Sequence, residues 1–139
     1  MSTYAWIITR DYDGDKDYPE GTNMNAKGVA GPSDATPEQI EKARTEGFVF
    51  RMKDDDGNIA YMGKLWCEDG EQPIAKRYEG RNDKPYYLTM GPSDDETACF
   101  GPLTDFGTPN YGCTELEYRC DDPDGNVDGG KPVKVWAGI

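Results

Sequence analysis

Apolar residues recur at every second position through much of this chain. Residues 4–10 alternate in this way and read as a first strand. The pattern is clearest between 48 and 66. Phe48, Phe50 and Met52 point one way, and Val49, Arg51 and Lys53 the other. Asp55-Asp56-Gly57-Asn58 supplies turn chemistry, after which Ile59, Tyr61 and Leu65 return along the apolar face with Trp66 near the end. Further strands are expected from Lys27 to Ala30, at 74–78, from Tyr86 to Met90, from Thr114 to Cys120 and from Pro132 to Trp136. Helical signals are sparse. Thr36 is a natural N-cap, Pro37 suits the first helical position, Gln39 completes a capping box, Ile40 and Ala43 form a thin apolar stripe, and Gly47 marks the stop. Ser93-x-x-Glu96 predicts a second short helix running to Phe100. Residues 11–25 and 68–83 are polar and turn-rich, residues 101–112 read as an extended loop, and Asp121 to Gly130 as a turn region. The sum is an α+β domain, mostly antiparallel sheet with two short helices.

Three echoes recur in the same order. Gly31-Pro32-Ser33-Asp34 returns as Gly91-Pro92-Ser93-Asp94, and Lys64-Leu65-Trp66 as Lys134-Val135-Trp136. Between them, the ten residues from Phe50 to Ile59 return from Tyr118 to Val127 with five identities. The offsets of 60, 68 and 70 residues are close to half the chain. Residues 1–139 therefore read as one compact domain whose halves, 1–66 and 67–139, are related, each carrying an acidic hairpin tip. Asp-Gly and Gly-Asn are also common turn chemistry, which two unrelated hairpins can share.

Charge changes the picture more than composition does. The chain has 27 acids against 15 bases, a net charge of −12 and no histidine. Such a protein repels nucleic acid and anionic membranes, so direct binding to either is not expected. It should associate quickly with basic surfaces, less so as salt rises. The residues from Met1 to Ile8 carry neither a basic segment nor a long apolar run, so no signal peptide is expected, and the expected location is the cytoplasm of a cell or of an infected host. The 3 Trp, 9 Tyr and 4 Phe supply large buried areas to a core that is otherwise modest.

The candidate chemistry is thin. Cys67, Cys99, Cys113 and Cys120 have no C-x-x-C spacing and no histidine to complete a zinc site, and read as buried thiols. Asp11-x-Asp13-x-Asp15-x-Asp17 and Asp122-x-Asp124-x-Asn126-x-Asp128 alternate oxygens in the manner of calcium loops. Their sixth and twelfth positions are Lys16 and Thr22, and Val127 and Val133, where an EF-hand needs Gly and Glu. No metal or other cofactor is expected. Without histidine there is no Ser-His or Cys-His pair, and no phosphate-binding loop is present. Asp105-Phe106-Gly107 matches a kinase triplet without the rest of that machinery. A catalytic site is therefore not expected.

Two stretches, Phe50 to Gly57 and Asp105 to Glu115, resemble small uncharacterised bacterial and mobile-element proteins, a group that brings no activity or site residues. In size, acidity and poverty of motifs the chain is also similar, as a class, to phage and plasmid anti-defence proteins such as anti-restriction and anti-CRISPR inhibitors. The expected function is a non-catalytic inhibitor that docks carboxylates into the basic, nucleic-acid-binding surface of a partner, a nuclease or defence complex, as a DNA mimic. The expected contact residues are Asp54, Asp55 and Asp56 on one tip, Asp121, Asp122 and Asp124 on the other, and Tyr111 or Trp66 as aromatic anchors, although core packing suits Trp66 and Trp136 better. A homodimer is compatible with the sequence. The alternative is a small-molecule binder or sponge with an aromatic-lined pocket.

Overall fold

The computed structural model describes residues 2–18 and 29–139. The expected turn residues 19–25 and the expected strand positions Lys27 and Gly28 lie outside the described residues. Along the chain run β1 (Tyr4–Asp11), β2 (Lys16–Asp17), β3 (Ala30–Gly31), α1 (Pro37–Glu46), β4 (Phe48–Lys53), β5 (Ile59–Cys67), β6 (Ala75–Glu79), β7 (Pro85–Thr89), α2 (Glu96–Cys99), α3 (Thr108–Tyr111), β8 (Glu115–Asp121), β9 (Val127–Asp128), β10 (Lys131–Pro132) and β11 (Lys134–Gly138). The main sheet has the order β2-β1-β5-β4-β8-β11-β7-β6, with β3 also on β1. Among the described residues every pairing is antiparallel except β7 with β11, so the class is α+β with a mostly antiparallel sheet and about three short helices.

Alternation decides the layers. Trp6, Ile8, Phe50, Met52, Tyr61, Leu65, Leu116, Tyr118 and Cys120 share one buried cluster, which Ala98, Phe106 and Cys113 cover. Ala5 and Ile7 point to the other face, where Ala43 of α1 and the partly buried Ile40 and Trp66 close a smaller cluster. α1 starts as the sequence predicts. The Gln39 amide donates to Thr36 Oγ1 (3.2 Å) and the Thr36 amide to Gln39 Oε1 (2.9 Å). It stops at Gly47 for a different reason. Gly47 is extended rather than left-handed, and a Cβ there would lie 2.2 Å from the Ala43 carbonyl oxygen and 2.8 Å from Lys64 Cβ.

Three expectations are corrected. Asp95, not Ser93, caps the second helix, with its carboxylate accepting from the Thr97 amide at 3.0 Å; Ser93 Oγ instead accepts from the Asp95 amide at 3.1 Å. Residues 101–112 are not an extended loop. They form a π-helical turn, Leu103–Gly107, that runs into α3 and ends at left-handed Gly112 (φ +67°). The cause is tertiary. Phe106 is buried against Trp6 (5.3 Å between ring centroids) and Tyr61 (4.8 Å), and Asp105 accepts from Tyr4 Oη (2.7 Å) and Trp6 Nε1 (3.0 Å). These anchors override a Gly- and Pro-rich sequence that reads locally as loop. The closing strand is Lys134–Gly138, while Lys131–Pro132 pairs with Val127–Asp128 as a separate small hairpin.

All four cysteines are free and buried. Burial pushes the Cys67 thiol up to about 12 and those of Cys113 and Cys120 up to about 11. Among the described residues, no helix is long and apolar enough to cross a membrane.

Phe50 lies at the centre of the sheet, fully buried, opposite Gly63 on one side and Tyr118 on the other. Its ring meets that of Tyr118 edge-on, with centroids 6.4 Å apart. Phe50→Ala should cost about 3–5 kcal/mol of unfolding free energy, read from the midpoint and slope of denaturant unfolding.

Candidate functional site: an acidic end of the sheet

The two acidic tips are built alike. At the first, the Asp54 carboxylate accepts from the amides of Asp56 (3.0 Å) and Asn58 (2.9 Å) and from Asn58 Nδ2 (3.3 Å), while the Gly57 amide donates to the Asp54 carbonyl (3.1 Å). At the second, the Asp122 carboxylate accepts from the Asp124 amide (2.9 Å) and Asn126 Nδ2 (2.6 Å), and the Gly125 amide donates to the Asp122 carbonyl (3.0 Å). Gly57 (φ +83°) and Gly125 (φ +74°) hold the left-handed position that each turn requires. The repeated Asp-x-Asp-Gly-Asn is thus a turn device. Its first Asp and its Asn fold the loop, and the intervening side chains project outward. Hydrogen bonds to the charged form hold the Asp54 and Asp122 carboxyls below the usual aspartate range. The Asn58 amide is the first cause at Asp54, and the Asp124 amide at Asp122.

The tips do not share a face. β4 and β8 are antiparallel neighbours, with Lys53 opposite Glu115 and Phe50 opposite Tyr118. The first tip follows Lys53 and the second follows Asp121, so they leave the sheet at opposite ends. The second tip is also occupied. Asp121 pairs with Lys134, Asp124 with Arg77 (2.8 Å), and Asp122 is 9% exposed and bound into its own turn. Asp94, Asp95 and Glu96 are separate again, with Asp95 serving as helix cap and accepting from Thr3 Oγ1 at 3.4 Å.

The first tip has a different companion. β1 pairs with β5 so that Asp11 faces Tyr61, and the Tyr12 amide donates to the Ala60 carbonyl at 2.9 Å. That register brings the turn after β1 beside the Asp54–Asn58 tip. Asp11 ties its turn by accepting from the Gly14 amide (2.9 Å), and Arg10 pairs with Asp15 and with Asp17 (3.0 Å). Asp13 accepts from Tyr111 Oη at 3.1 Å, and the Tyr111 ring meets Tyr61 edge-on at 6.3 Å. Hydrogen bonding to Asp13, with the charges of Asp13 and Asp54 nearby, pushes the Tyr111 hydroxyl up. Burial, followed by the fields of Asp11 and Asp13, pushes Tyr61 up to about 12. Exposed Tyr111 therefore lies against exposed Asp13 and within the field of Asp54, whose turn carries exposed Asp55 and Asp56, at one end of the sheet. Asp11 and Asp13 were legible in the sequence as an acidic run. Their union with Asp54–Asp56 was not, because it depends on the β1–β5 register.

One carboxylate oxygen from each of Asp54, Asp55 and Asp56 lies within 4.8 Å of the others. With Asp54 already turned into its loop, this trio falls well short of the six to eight oxygens that calcium takes.

The other aromatic candidates lie elsewhere. Trp66 faces Ala5 in the β1–β5 register, away from the acidic end, where it is half-buried beside α1 with Lys42 Nζ 5.0 Å from the ring centroid. Trp136, its counterpart in the echo, is half-buried between the guanidinium groups of Arg51 (4.4 Å) and Arg119 (5.0 Å). Trp66 packs partly buried against the smaller cluster, as core packing predicts, and Trp136 is half-buried; both also lie under cation–π cover on the sheet's second face.

Compared with protein families, with curated proteins and with solved structures, the chain matches none.

Because Asp54 and Asp122 have lowered folded-state values, their contribution to stability is present above the ordinary aspartate pKa of about 3.9 and is lost as pH falls through the folded values. Carboxyl-carbon NMR titration should give both a midpoint below that ordinary value. Midpoints at or above it would contradict the turn-capping role.

Proposed function

We propose that this chain is a non-catalytic acidic binding protein whose Asp13–Tyr111–Asp55–Asp56 end docks against a basic, nucleic-acid-binding surface of a partner protein and blocks it. The observation that carries this reading is the convergence of two acidic turns, each fixed by its own hydrogen bonds, beside exposed Tyr111. Duplex DNA presents one negative charge per roughly 1.7 Å of axis, and carboxylates held on stiff turns offer a groove built for DNA a comparable surface. Preorganisation matters, since ordering flexible acids at the moment of binding would consume much of the gain. Tyr111 adds an amphipathic ring where the three carboxylates would otherwise meet the partner alone. Asp121, Asp122 and Asp124 are not part of this contact, since their hydrogen bonds and ion pairs are internal. The concrete form of the proposal is an inhibitor of a nuclease or defence complex, of the anti-restriction or anti-CRISPR kind, acting in the cytoplasm of an infected or plasmid-bearing cell.

A second reading is favoured by one observation. A cleft of about 620 Å³ lies between the Gly31-Pro32-Ser33 turn and the π-helical turn, lined by Trp6, Phe106, Asp105 and Asn110. It has the aromatic wall and the few polar groups of a small-molecule site, which native mass spectrometry of the purified protein would reveal as a retained ligand.

Competition of the protein with duplex DNA for a panel of nucleases, across a salt series, tests the first reading. Wild type should displace DNA at low salt and weaken as salt rises. Neutralising Asp13, Asp55 and Asp56 to Asn, which spares the turn-forming Asp54, should weaken displacement at least tenfold. Neutralising Asp121 and Asp124 should leave it unchanged. Affinity that is flat with salt and indifferent to the first set of substitutions would remove the proposal.

A further inference from the structure

β6 and β7 form a hairpin at one border of the sheet, and their outer surface differs from the rest of the molecule. Lys76 faces Leu88 and Tyr78 faces Tyr86 across the pair, so these four share one face, which Ile74 and Met90 extend by alternation. The opposite face holds Ala75 and Tyr87, which pack on the core. The outward row is apolar yet uncovered by the described residues: Met90 is 89% exposed, Ile74 84%, Tyr86 48% and Leu88 42%. Tyr78 and Tyr86 stack with centroids 5.4 Å apart, and Lys76 lies 5.6 Å from the Tyr78 centroid. β6 is also the last strand in the sheet order, so its outer edge has no strand partner among the described residues. An exposed edge beside an exposed apolar row is the arrangement that proteins normally blunt or cover.

The charge around this row is polarised along the hairpin. The exposed turn that joins β6 to β7 carries Arg81 and Lys84 against Asp83. At the other end, Ile74 and Met90 border a groove of about 670 Å³ whose walls include the exposed carboxylates of Asp69, Glu71 and Asp94. The turn thus sets two bases against Asp83, with Glu79 beside it held by Arg77 (3.4 Å), and the other end is acidic. Residues 71–90 as a whole hold four bases against three acids, in a chain of net charge −12. A second molecule meets like charge at the acidic end described above, and meets balanced charge here.

We infer that this hairpin is a self-association surface occupied by a second copy of the chain. Two copies related by a two-fold axis stack these outer faces with their β6 strands running antiparallel. That places the apolar row of each against the other, and the Arg81–Lys84 turn of each against the Asp69–Glu71–Asp94 groove of its partner. The two-fold is required by the polarity, since only antiparallel alignment sets bases on acids at both ends at once. The apolar row supplies the buried centre and the ion pairs supply a polar rim that fixes alignment more than strength. The association uses none of the residues at the Asp13–Tyr111 end, so it stands or falls independently of the inhibitor reading.

A charge exchange tests this by sedimentation equilibrium at sub-millimolar concentration. The wild-type chain should run at twice its 15.5 kDa mass. Arg81→Glu with Lys84→Glu should be monomeric, and so should Asp69→Lys with Glu71→Lys. An equal mixture of the two double variants should recover the dimer, because each turn then faces a groove of opposite sign. Ile74→Lys with Met90→Lys, at the two most exposed positions of the row, should be monomeric alone and in every mixture, with an unchanged circular dichroism spectrum. A monomeric wild type, dimers that survive all three pairs of substitutions, or charge variants that fail to recover on mixing would each overturn the inference.

Discussion

The antiparallel pairing of β4 with β8 joins the two halves of the molecule, and the rest of the structure is arranged around it. Phe50 and Tyr118 face each other across that seam, both fully buried, and they occupy matching positions in the sequence echo. Gly63 makes room on the other side, since a Cβ there would lie 2.0 Å from the Ile7 carbonyl oxygen and 2.7 Å from the Phe50 ring. The seam therefore depends on one large aromatic pair and one close backbone approach. Around it the hairpins β4–β5 and β8–β11 match in order, in turn chemistry and in the placing of a tryptophan on the second face. Beyond them the likeness ends. β1 lies antiparallel to β5, whereas β7 lies parallel to β11, and α1 covers the second face while Ala98 of α2 joins the cluster on the first.

That seam also sets the electrostatics. Because the two strands run in opposite directions, similar hairpins carry their acidic tips to opposite ends. Charge that looks duplicated in the sequence is dispersed in space, which lowers the self-repulsion of a chain at −12. Dispersal leaves each end to find its own neighbours. One tip has Asp121 paired with Lys134 and Asp124 with Arg77. The other meets the turn after β1, where Arg10 serves Asp15 and Asp17 while Asp13 turns to Tyr111. The difference between a spent and an available acidic cluster is thus one of strand order, not of composition.

Strand order is also what local sequence patterns do not encode. The β4–β5 hairpin, the capped α1 and the alternating β8 were legible because their signals are local: period two, a capping box, a Gly at a left-handed turn. Residues 101–112 were misread because Pro102, Gly107 and Pro109 look like loop chemistry, while the helical path is imposed by Phe106 and Asp105 docking on β1, about a hundred residues away in sequence. The cap on α2 was misplaced by two residues because Ser93 and Asp95 are both good caps and only the backbone direction selects between them. At the candidate site, Asp54–Asp56 and Tyr111 were individually visible. Their meeting with Asp13, and the separation from Asp121–Asp124, follow from long-range pairings that no local pattern encodes.

The central claim is that antiparallel β4–β8 pairing holds the two matched tips apart. The most direct test is a pulsed electron–electron distance measurement between spin labels at Asp56→Cys and Asp124→Cys, with the labelled protein diluted in unlabelled protein and the native thiols left buried. At about 3.3 Å per residue along β8, plus the two turns, the labels should be separated by about 30 Å. A distribution centred below about 15 Å would place both tips on one face and contradict the account.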